Sequence, residues 1–233
     1  MRRIVVCAVA AAAIGLQCGG QRAFAAAAEP TAAEYVIRWN IRDGGPATLN
    51  AVLAIMRSRA TRDRTFKVDY YDLPPALAAP PGYSVILRRR VEDGVGAEIT
   101  WKLRGDAALA DWTCPLRNAK ESKAEADVAF QGADTLARTF SYSCTSDGPE
   151  AAAAELSATL RPCTATVTRK VAGPLKLEEW RFPGDVVIID VSMGAPNTPA
   201  AVGVFRTRIA QPLFAAGVVP LSESKADLGS RCK

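Results

Sequence analysis

Histidine is absent from this 233-residue sequence. Its absence excludes a Ser-His-Asp triad, a Cys-His dyad and every metal site that is built on imidazole. The sequence also lacks a C-x-x-C pair, which argues against a zinc site. Any catalysis would therefore depend on carboxylates, on cationic side chains or on a metal ion that is held by oxygen atoms.

Beyond the N-terminus, the sequence has no apolar run long enough for a membrane-spanning helix. The N-terminus itself has the pattern of a secretory signal peptide over residues 1–25. Arg2 and Arg3 precede an apolar core at residues 4–16, and Ala23-Phe24-Ala25 fits an A-x-A cleavage site. We therefore predict an exported protein that is located in the periplasm or outside the cell.

The remaining residues, 26–233, are enough for a single domain with a sizeable core. Removing Arg2, Arg3 and Arg22 with the signal peptide lowers the formal net charge from +5 to +2. Because the remaining positive charge is slight, we predict no nucleic-acid partner. Any electrostatic function must come from local clusters of charge.

Four cysteines remain in the mature chain, and an even number in an oxidising compartment predicts disulfides. Their three possible pairings cannot be separated from the sequence. Those at positions 114, 144 and 163 fall on the apolar side of predicted strands, which predicts that they staple the outside of the fold. The four cysteines are Cys114, Cys144, Cys163 and Cys232.

Many short segments alternate between polar and apolar residues, which is the pattern of half-buried strands. Helical periodicity occurs in only a few places, such as residues 46–59 and the segment that follows Thr198. We predict an α+β fold: an antiparallel β-barrel of about eight strands, with a polar interior and a few helices packed outside.

The most basic segment is a predicted hairpin that is formed by residues 81–105. If its polar residues share one face, strand parity requires an odd loop, and Asp93-Gly94-Val95 supplies three residues. Arg90 then lies opposite Glu98, and Arg88 lies opposite Thr100. Because the cations on this face repel one another, they favour a bound anion or solvent. They are Arg88, Arg90, Lys102 and Arg104.

Paired carboxylates occur on the predicted strand at residues 123–130. Lys123, Glu125 and Asp127 share one side of this strand. Carboxylates at alternate positions lie about 6–7 Å apart along a strand, so both can approach one hard cation. A solvated outer face is the alternative interpretation.

These features together resemble the CYTH family, which is also known as the triphosphate tunnel metalloenzymes. The resemblance is carried by Tyr71-Asp72 at a strand end, Gly82, the basic strand, the return sequence ITWK and a closing segment that contains Lys225. It runs in order from Glu34 to Gly229. The sequence departs from the family pattern at Leu73, where the family has threonine, and at Ile86, where it has arginine. Val36 and Ser192 stand where the family has acidic residues.

The resemblance implies a tunnel in which cations bind phosphate groups and carboxylates hold Mg²⁺ or Mn²⁺. It implies one further arginine at Arg169, whereas strand parity favours Lys170 as the inward cation, and both stay open. It assigns no catalytic side chain. The implied phosphate-binding residues are Arg38, Arg88, Arg90, Lys102, Arg104, Lys123 and Lys225. The implied metal ligands are Glu34, Glu125, Asp127 and Asp190.

Two functions follow from the resemblance. The first is a metal-dependent phosphohydrolase that acts on inorganic triphosphate, polyphosphate or a related linear phosphate. The second is a non-catalytic, exported, CYTH-like domain that binds a small phosphate chain or another polyanion in its basic tunnel. The export of the protein and the absence of two acids count against the first function, because an under-ligated site holds Mg²⁺ poorly. A third interpretation is a disulfide-stapled barrel whose charges are only solvated.

Overall fold

The structure, a computed structural model, describes residues 27–232, and the predicted signal peptide lies outside that range. Within these residues, nine strands close into a barrel, in the order β1-β5-β6-β4-β3-β2-β7-β8-β9 around the ring. None of the helices in the described range is long and apolar enough to cross a membrane. The α+β class and the closed barrel agree with the sequence prediction.

The strands are β1 (Ala32–Asn40), β2 (Arg62–Asp72), β3 (Tyr83–Glu92), β4 (Gly96–Gly105), β5 (Glu121–Phe130), β6 (Leu136–Asp147), β7 (Thr159–Ala172), β8 (Leu175–Phe182) and β9 (Val186–Pro196). The helices are α1 (Leu49–Ile55), α2 (Pro149–Glu155), α3 (Pro199–Phe205), α4 (Gln211–Ala215) and α5 (Lys225–Arg231). A 3₁₀ turn lies at Pro75–Leu77, and a π-helical turn at Arg206–Ala210 joins α3 to α4.

The prediction of a purely antiparallel barrel of about eight strands was wrong in two respects, because the described barrel has nine strands and is mixed. Strand β1 pairs antiparallel with β9 but parallel with β5, over residues 33–36 and 126–129. The two differences are linked by parity. Strand directions cannot alternate all the way around a ring that has an odd number of strands, so one neighbouring pair must be parallel.

The basic hairpin has the predicted register. Arg90 pairs with Glu98 and Arg88 pairs with Thr100, and the loop contains three residues between Glu92 and Gly96. Gly94 adopts a φ of 73°, which is a left-handed conformation that glycine adopts without steric cost. The odd loop keeps the polar residues of β3 and β4 on one face of the sheet, and this face points into the lumen.

The main apolar core lies outside the barrel, between the outer strand faces and the helices. Thr48 caps α1 by accepting a hydrogen bond from the backbone N–H of Ala51, and Thr198 caps α3 in the same way. Phe205 of α3 is fully buried and packs against the rings of Tyr35 and Phe130. The helices therefore cover the outer wall and leave the lumen to the inward side chains.

Two disulfides occur in the described residues, and two disulfides are compatible with an exported protein. Cys114–Cys144 fastens the loop between β4 and β5 to the outer face of β6, as predicted for an outside staple. Cys163–Cys232 differs from the prediction, because Cys163 lies on the inward face of β7 with Ala165 and Val167. The alternation of β7 is clear, but its polar face, with Thr164 and Thr166, points outward and its apolar face points into the lumen, which is the reverse of the polar interior that we predicted.

The C-terminal segment, residues 221–232, packs against the inner wall of the barrel and includes α5. Leu221, Leu228 and Cys232 pack against an apolar cluster on the inward strand faces. Gly229 lies so close to Tyr70 that an added Cβ would be 2.1 Å from a ring atom. The segment thus fills part of the lumen, a feature that the sequence analysis did not predict.

Candidate functional site

The lumen contains a cavity of about 220 Å³ that is lined by inward side chains from eight strands and by the C-terminal segment. Nine of the lining residues are cations and five are glutamates. Asp127 and Asp190 stand directly behind them and form ion pairs with lining cations. The cations are Arg38, Arg88, Arg90, Lys102, Arg104, Lys123, Arg169, Lys176 and Lys225, and the lining glutamates are Glu34, Glu98, Glu121, Glu125 and Glu178.

All seven of the predicted phosphate-binding residues line this cavity. The open choice between Arg169 and Lys170 is decided by the direction of the side chains. Arg169 lines the cavity, whereas Lys170 forms an ion pair with Asp63 on the other face of the sheet. Their binding role stays a prediction, since placement in one cavity does not by itself test it.

Three arginines form what we call the arginine cluster: Arg88, Arg90 and Arg169. The guanidinium groups of Arg90 and Arg169 lie 5.3 Å and 4.7 Å from the centroid of the Phe66 ring. Burial lowers the pKa of Arg90, and its neighbours Arg169 and Arg88 lower it further, while Glu98 opposes them. The cluster is therefore a site of concentrated positive charge in a partly desolvated place.

Arg88 differs from the other cavity cations in its partners. The other eight form ion pairs with carboxylates, but among the described residues no carboxylate lies within ion-pair distance of Arg88. Arg88 lines the same cavity and raises the local positive potential at Arg90. Arg88 is half-buried, and a partly desolvated guanidinium without a carboxylate partner is a ready binding group for an anion.

Three of the predicted metal ligands form the acidic group: Glu34, Glu125 and Asp127. One carboxylate oxygen from each lies within 4.8 Å of the other two. The parallel pairing of β1 and β5 places Glu34 directly beside Asp127, and Glu125 follows two residues earlier on the same face of β5. The pairing that the sequence did not predict is thus the one that assembles the acidic group.

Cations surround the acidic group. Lys176 Nζ lies 2.7 Å from Glu34, and Arg104 donates two hydrogen bonds to Asp127, of 2.8 Å and 2.5 Å. Lys102 Nζ lies 3.4 Å from Asp127 and 3.8 Å from Glu125. Burial alone would raise the pKa of Glu34 and Asp127, but the neighbouring cations outweigh burial and lower both pKa values. Both carboxylates are therefore ionised at neutral pH.

The fourth predicted metal ligand, Asp190, does not join this group. It is fully buried and accepts a hydrogen bond of 3.2 Å from Arg38, and Lys225 Nζ lies 3.1 Å from it. Lys225 also pairs with Glu178 at 2.7 Å, and Arg169 pairs with Glu178 at 2.6 Å. These five residues form a second charged group, the paired network, on β1, β7, β8, β9 and α5.

No protein-family model matches the sequence, and no curated protein matches it either. Among solved structures, the chain is similar to a Vibrio parahaemolyticus protein that is provisionally named an adenylate cyclase, with 12% identity and a TM-score of 0.48 over 87% of this chain and 99% of that one. It is also similar to the PH1012 protein of Pyrococcus horikoshii, with 13% identity and a TM-score of 0.47 over 84% and 98%. Sequence identities of 12–13% and TM-scores below 0.5 carry no argument about function. The function must therefore be argued from the residues of the cavity.

The sequence analysis did not assign four charged residues of the cavity to the site: Lys176, Glu178, Glu98 and Glu121. Lys176 and Glu178 lie on the inward face of β8, where Trp180 and Phe182 follow them. The period-two pattern of β8 is present in the sequence, but its inward face combines two charged residues with two aromatic residues, so it does not fit the polar interior that we predicted.

Proposed function

We propose that this protein is a metal-dependent phosphohydrolase that acts on inorganic triphosphate, polyphosphate or a related linear phosphate. The observation that carries the proposal is the partly closed lumen in which nine cations face seven carboxylates, with Arg88 unpaired among the described residues. The excess is about two positive charges in a confined, partly desolvated space. A chain of phosphate groups is a ligand that matches both the shape and the sign of this space.

The arginine cluster is suited to the groups of the phosphate chain that do not react. A guanidinium group presents paired N–H donors that can bind two oxygens of one phosphate. Arg90 and Arg169 are already oriented by the Phe66 ring between them, and each also has a carboxylate partner. Binding of the chain would relieve the repulsion among these arginines, which favours an anion that contacts all three.

The acidic group is suited to a divalent cation. Its donor atoms are all carboxylate oxygens, the ligands that Mg²⁺ and Mn²⁺ prefer, and they are already close together. When bound, Mg²⁺ or Mn²⁺ would neutralise charge on the phosphoryl group that is transferred. Lys102, Arg104 and Lys176 surround the same place and would stabilise the negative charge of the phosphate oxygens.

The proposal includes membership of the CYTH family as a divergent, exported member. It is supported by the closed barrel, by the register of the basic hairpin and by the position of Lys225 in the cavity. The divergence lies in the acids. Val36 and Ser192, which pair with each other across β1 and β9, provide no carboxylate to the lumen.

A specific observation favours the second candidate, an exported domain that binds a polyanion without turnover. Every member of the acidic group already forms an ion pair with a lysine or arginine of the lumen. A divalent cation would have to compete with these internal cations. If they hold the carboxylates more strongly than the metal does, the cavity binds phosphate chains and does not hydrolyse them.

Phosphate release from sodium tripolyphosphate, with and without Mg²⁺ or Mn²⁺, tests the first candidate. Arg88→Ala is expected to lower turnover by about tenfold to a hundredfold, because a hydrogen bond to a charged group contributes about 1.5–3 kcal/mol. Lys67→Ala is the matched control, since Lys67 is an exposed cation on the outer face of the neighbouring strand β2.

The outcomes separate the candidates. Metal-dependent turnover that Arg88→Ala reduces and Lys67→Ala leaves unchanged supports the hydrolase. Tripolyphosphate binding by calorimetry, without phosphate release under either metal, supports the binding domain. Neither binding nor turnover at micromolar protein would contradict both.

A further inference from the structure

Lys225 lines the cavity and is the first residue of α5, a helix that is too short to be stable without contacts to the barrel. Helix α5 spans only seven residues, and an isolated helix of this length is not stable in water. Ser224 and Asp227 form a capping box at its first turn, which stabilises the helix without attaching it to the barrel. The position of Lys225 must therefore be set by contacts between the C-terminal segment and the strands.

Noncovalent contacts hold the first half of the segment. The backbone N–H of Leu221 donates a hydrogen bond of 2.8 Å to the carbonyl of Arg38. The hydroxyl of Tyr70 donates one of 3.3 Å to the carbonyl of Lys225. Lys225 Nζ forms ion pairs with Glu178 and Asp190 and lies 5.1 Å from the centroid of the Trp180 ring. These contacts fix Leu221 and Lys225, and none of them involves α5 beyond its first residue.

The second half is held by a covalent bond. Cys232 is joined to Cys163, which is 1% exposed on the inward face of β7. Leu228 packs on the same apolar cluster, and Gly229 permits the close approach to Tyr70. The disulfide thus anchors the segment to the inner wall at the residue that follows α5.

We propose that the Cys163–Cys232 disulfide is a positioning element of the site: it holds α5 in the lumen and thereby keeps Lys225 at Glu178 and Asp190. Without the bond, the segment leaves the wall, the two buried carboxylates lose one cation, and the cavity loses one of its phosphate-binding groups. The effect on anion binding rests on the proposed function, whereas the effect on the position of α5 does not.

The other disulfide provides a matched control. Cys114–Cys144 lies on the outer side of the barrel and joins a loop to β6, away from the cavity. Cys114→Ala/Cys144→Ala therefore removes a disulfide without touching the lumen. A purely stabilising role for Cys163–Cys232 predicts that the two double variants behave alike once both are folded.

The first measurement is calorimetric binding of sodium tripolyphosphate. Cys163→Ala/Cys232→Ala is expected to weaken binding by about tenfold, as Lys225→Met does, while the outer double variant stays within about twofold of the parent protein. Adding Lys225→Met to Cys163→Ala/Cys232→Ala is expected to cause no further loss, because both changes remove the same contact. Unchanged affinity in the cysteine variant, or losses that add in full, would overturn the proposal.

The second measurement is amide hydrogen exchange of α5, which needs no ligand. In Cys163→Ala/Cys232→Ala the amides of α5 are expected to lose protection while those of the nine strands keep it. Protection that stays as in the parent protein overturns the proposal whatever the binding result. If the parent protein does not bind tripolyphosphate but α5 loses protection in the variant, the proposed function fails and the positioning role stands.

A third variant covers the case in which the cysteine variant does not fold. Gly229→Ala leaves both disulfides in place and forces a Cβ into the Tyr70 ring. It is expected to reduce the protection of α5 and to weaken tripolyphosphate binding, by less than the cysteine variant does. Full protection of α5 together with weakened binding would contradict the link between the segment and the site.

Discussion

The inward face of β8 joins two different regions of the lumen. It begins with the charged residues Lys176 and Glu178 and ends with the aromatic residues Trp180 and Phe182. The first two residues belong to the charged part of the lumen, which contains the cavity. The last two belong to the apolar part, in which nine buried residues pack together. They are Phe66, Val68, Tyr70, Cys163, Ala165, Val167, Trp180, Phe182 and Ile188.

The comparison shows that one barrel interior can contain a charged cavity and an apolar core at once. The apolar part buries large side chains and is covered by the C-terminal segment, which excludes water. The charged part keeps a cavity of about 220 Å³ that is lined by nine cations and five glutamates. Cation–π contacts of Arg90, Arg169 and Lys225 join the two parts.

The largest expected effect is that of removing a charge from the paired network. Glu178→Gln is expected to lower the free energy of unfolding at pH 7 by about 3–5 kcal/mol, because it removes a buried carboxylate that compensates the half-buried cations Arg169 and Lys225. Urea unfolding, monitored by circular dichroism, measures the change. A loss below about 1 kcal/mol would show that these ion pairs contribute little.

The same variant also makes a prediction about pH. Burial would raise the pKa of Glu178, but Lys225, Lys176 and Arg169 outweigh it and lower the pKa well below 4.5. A lowered folded-state pKa stabilises the fold above the unfolded value, and this contribution is lost as pH falls through the folded pKa. The difference between the parent protein and Glu178→Gln is therefore expected to shrink in acid. A difference that stays constant from pH 7 to the acid transition would contradict the shift.

The apolar part should respond differently. Phe182→Ala is expected to lower the free energy of unfolding by about 3 kcal/mol, since the residue is 7% exposed and stacks on Trp180. The loss should not depend on pH between pH 4 and 7, and tripolyphosphate affinity should stay within about twofold. A large loss of affinity in a folded variant would show that the two parts are not separable.

Arg88→Ala is expected to separate stability from binding within the charged part. Because Arg88 has no carboxylate partner among the described residues and is close to Arg90, its removal should change the free energy of unfolding by less than about 1 kcal/mol, in the stabilising direction. Urea unfolding of the variant beside Lys67→Ala provides the measurement. Marked destabilisation would indicate that Arg88 supports the fold rather than an anion.

The smallest expected effect is at the exposed edge of the cavity. Lys123 is 52% exposed and pairs with Glu125 at 3.2 Å. Lys123→Ala is expected to change stability by less than about 1 kcal/mol and to weaken tripolyphosphate binding about twofold at low salt. The difference in affinity should vanish at roughly 1 M salt, where screening is strong. A difference that persists there would place Lys123 in direct contact with the ligand.

Much of the charged part was predictable from short-range pattern. Strand alternation and loop parity gave the register that brings Arg88, Arg90, Lys102 and Arg104 to one face, and this register is confirmed. The apolar part was not predicted, because alternation separates the two faces of β7 but does not say which one points inward, and we predicted a polar interior. The position of Asp190 in the paired network was not predicted either, since its two partners, Arg38 and Lys225, come from β1 and α5.

The sequence by itself determined the strands and the basic hairpin, because strand alternation and loop length depend on residues that are neighbours in the chain. It also determined the even number of cysteines that can form disulfides. Only the tertiary structure decided the parallel closure of β1 on β5, the pairing of the cysteines and the entry of the C-terminal segment into the lumen. These features join residues that are far apart in sequence, such as Cys163 with Cys232 and Glu34 with Asp127. Their geometry follows from how the ring closes, and no local pattern of residue types encodes that closure.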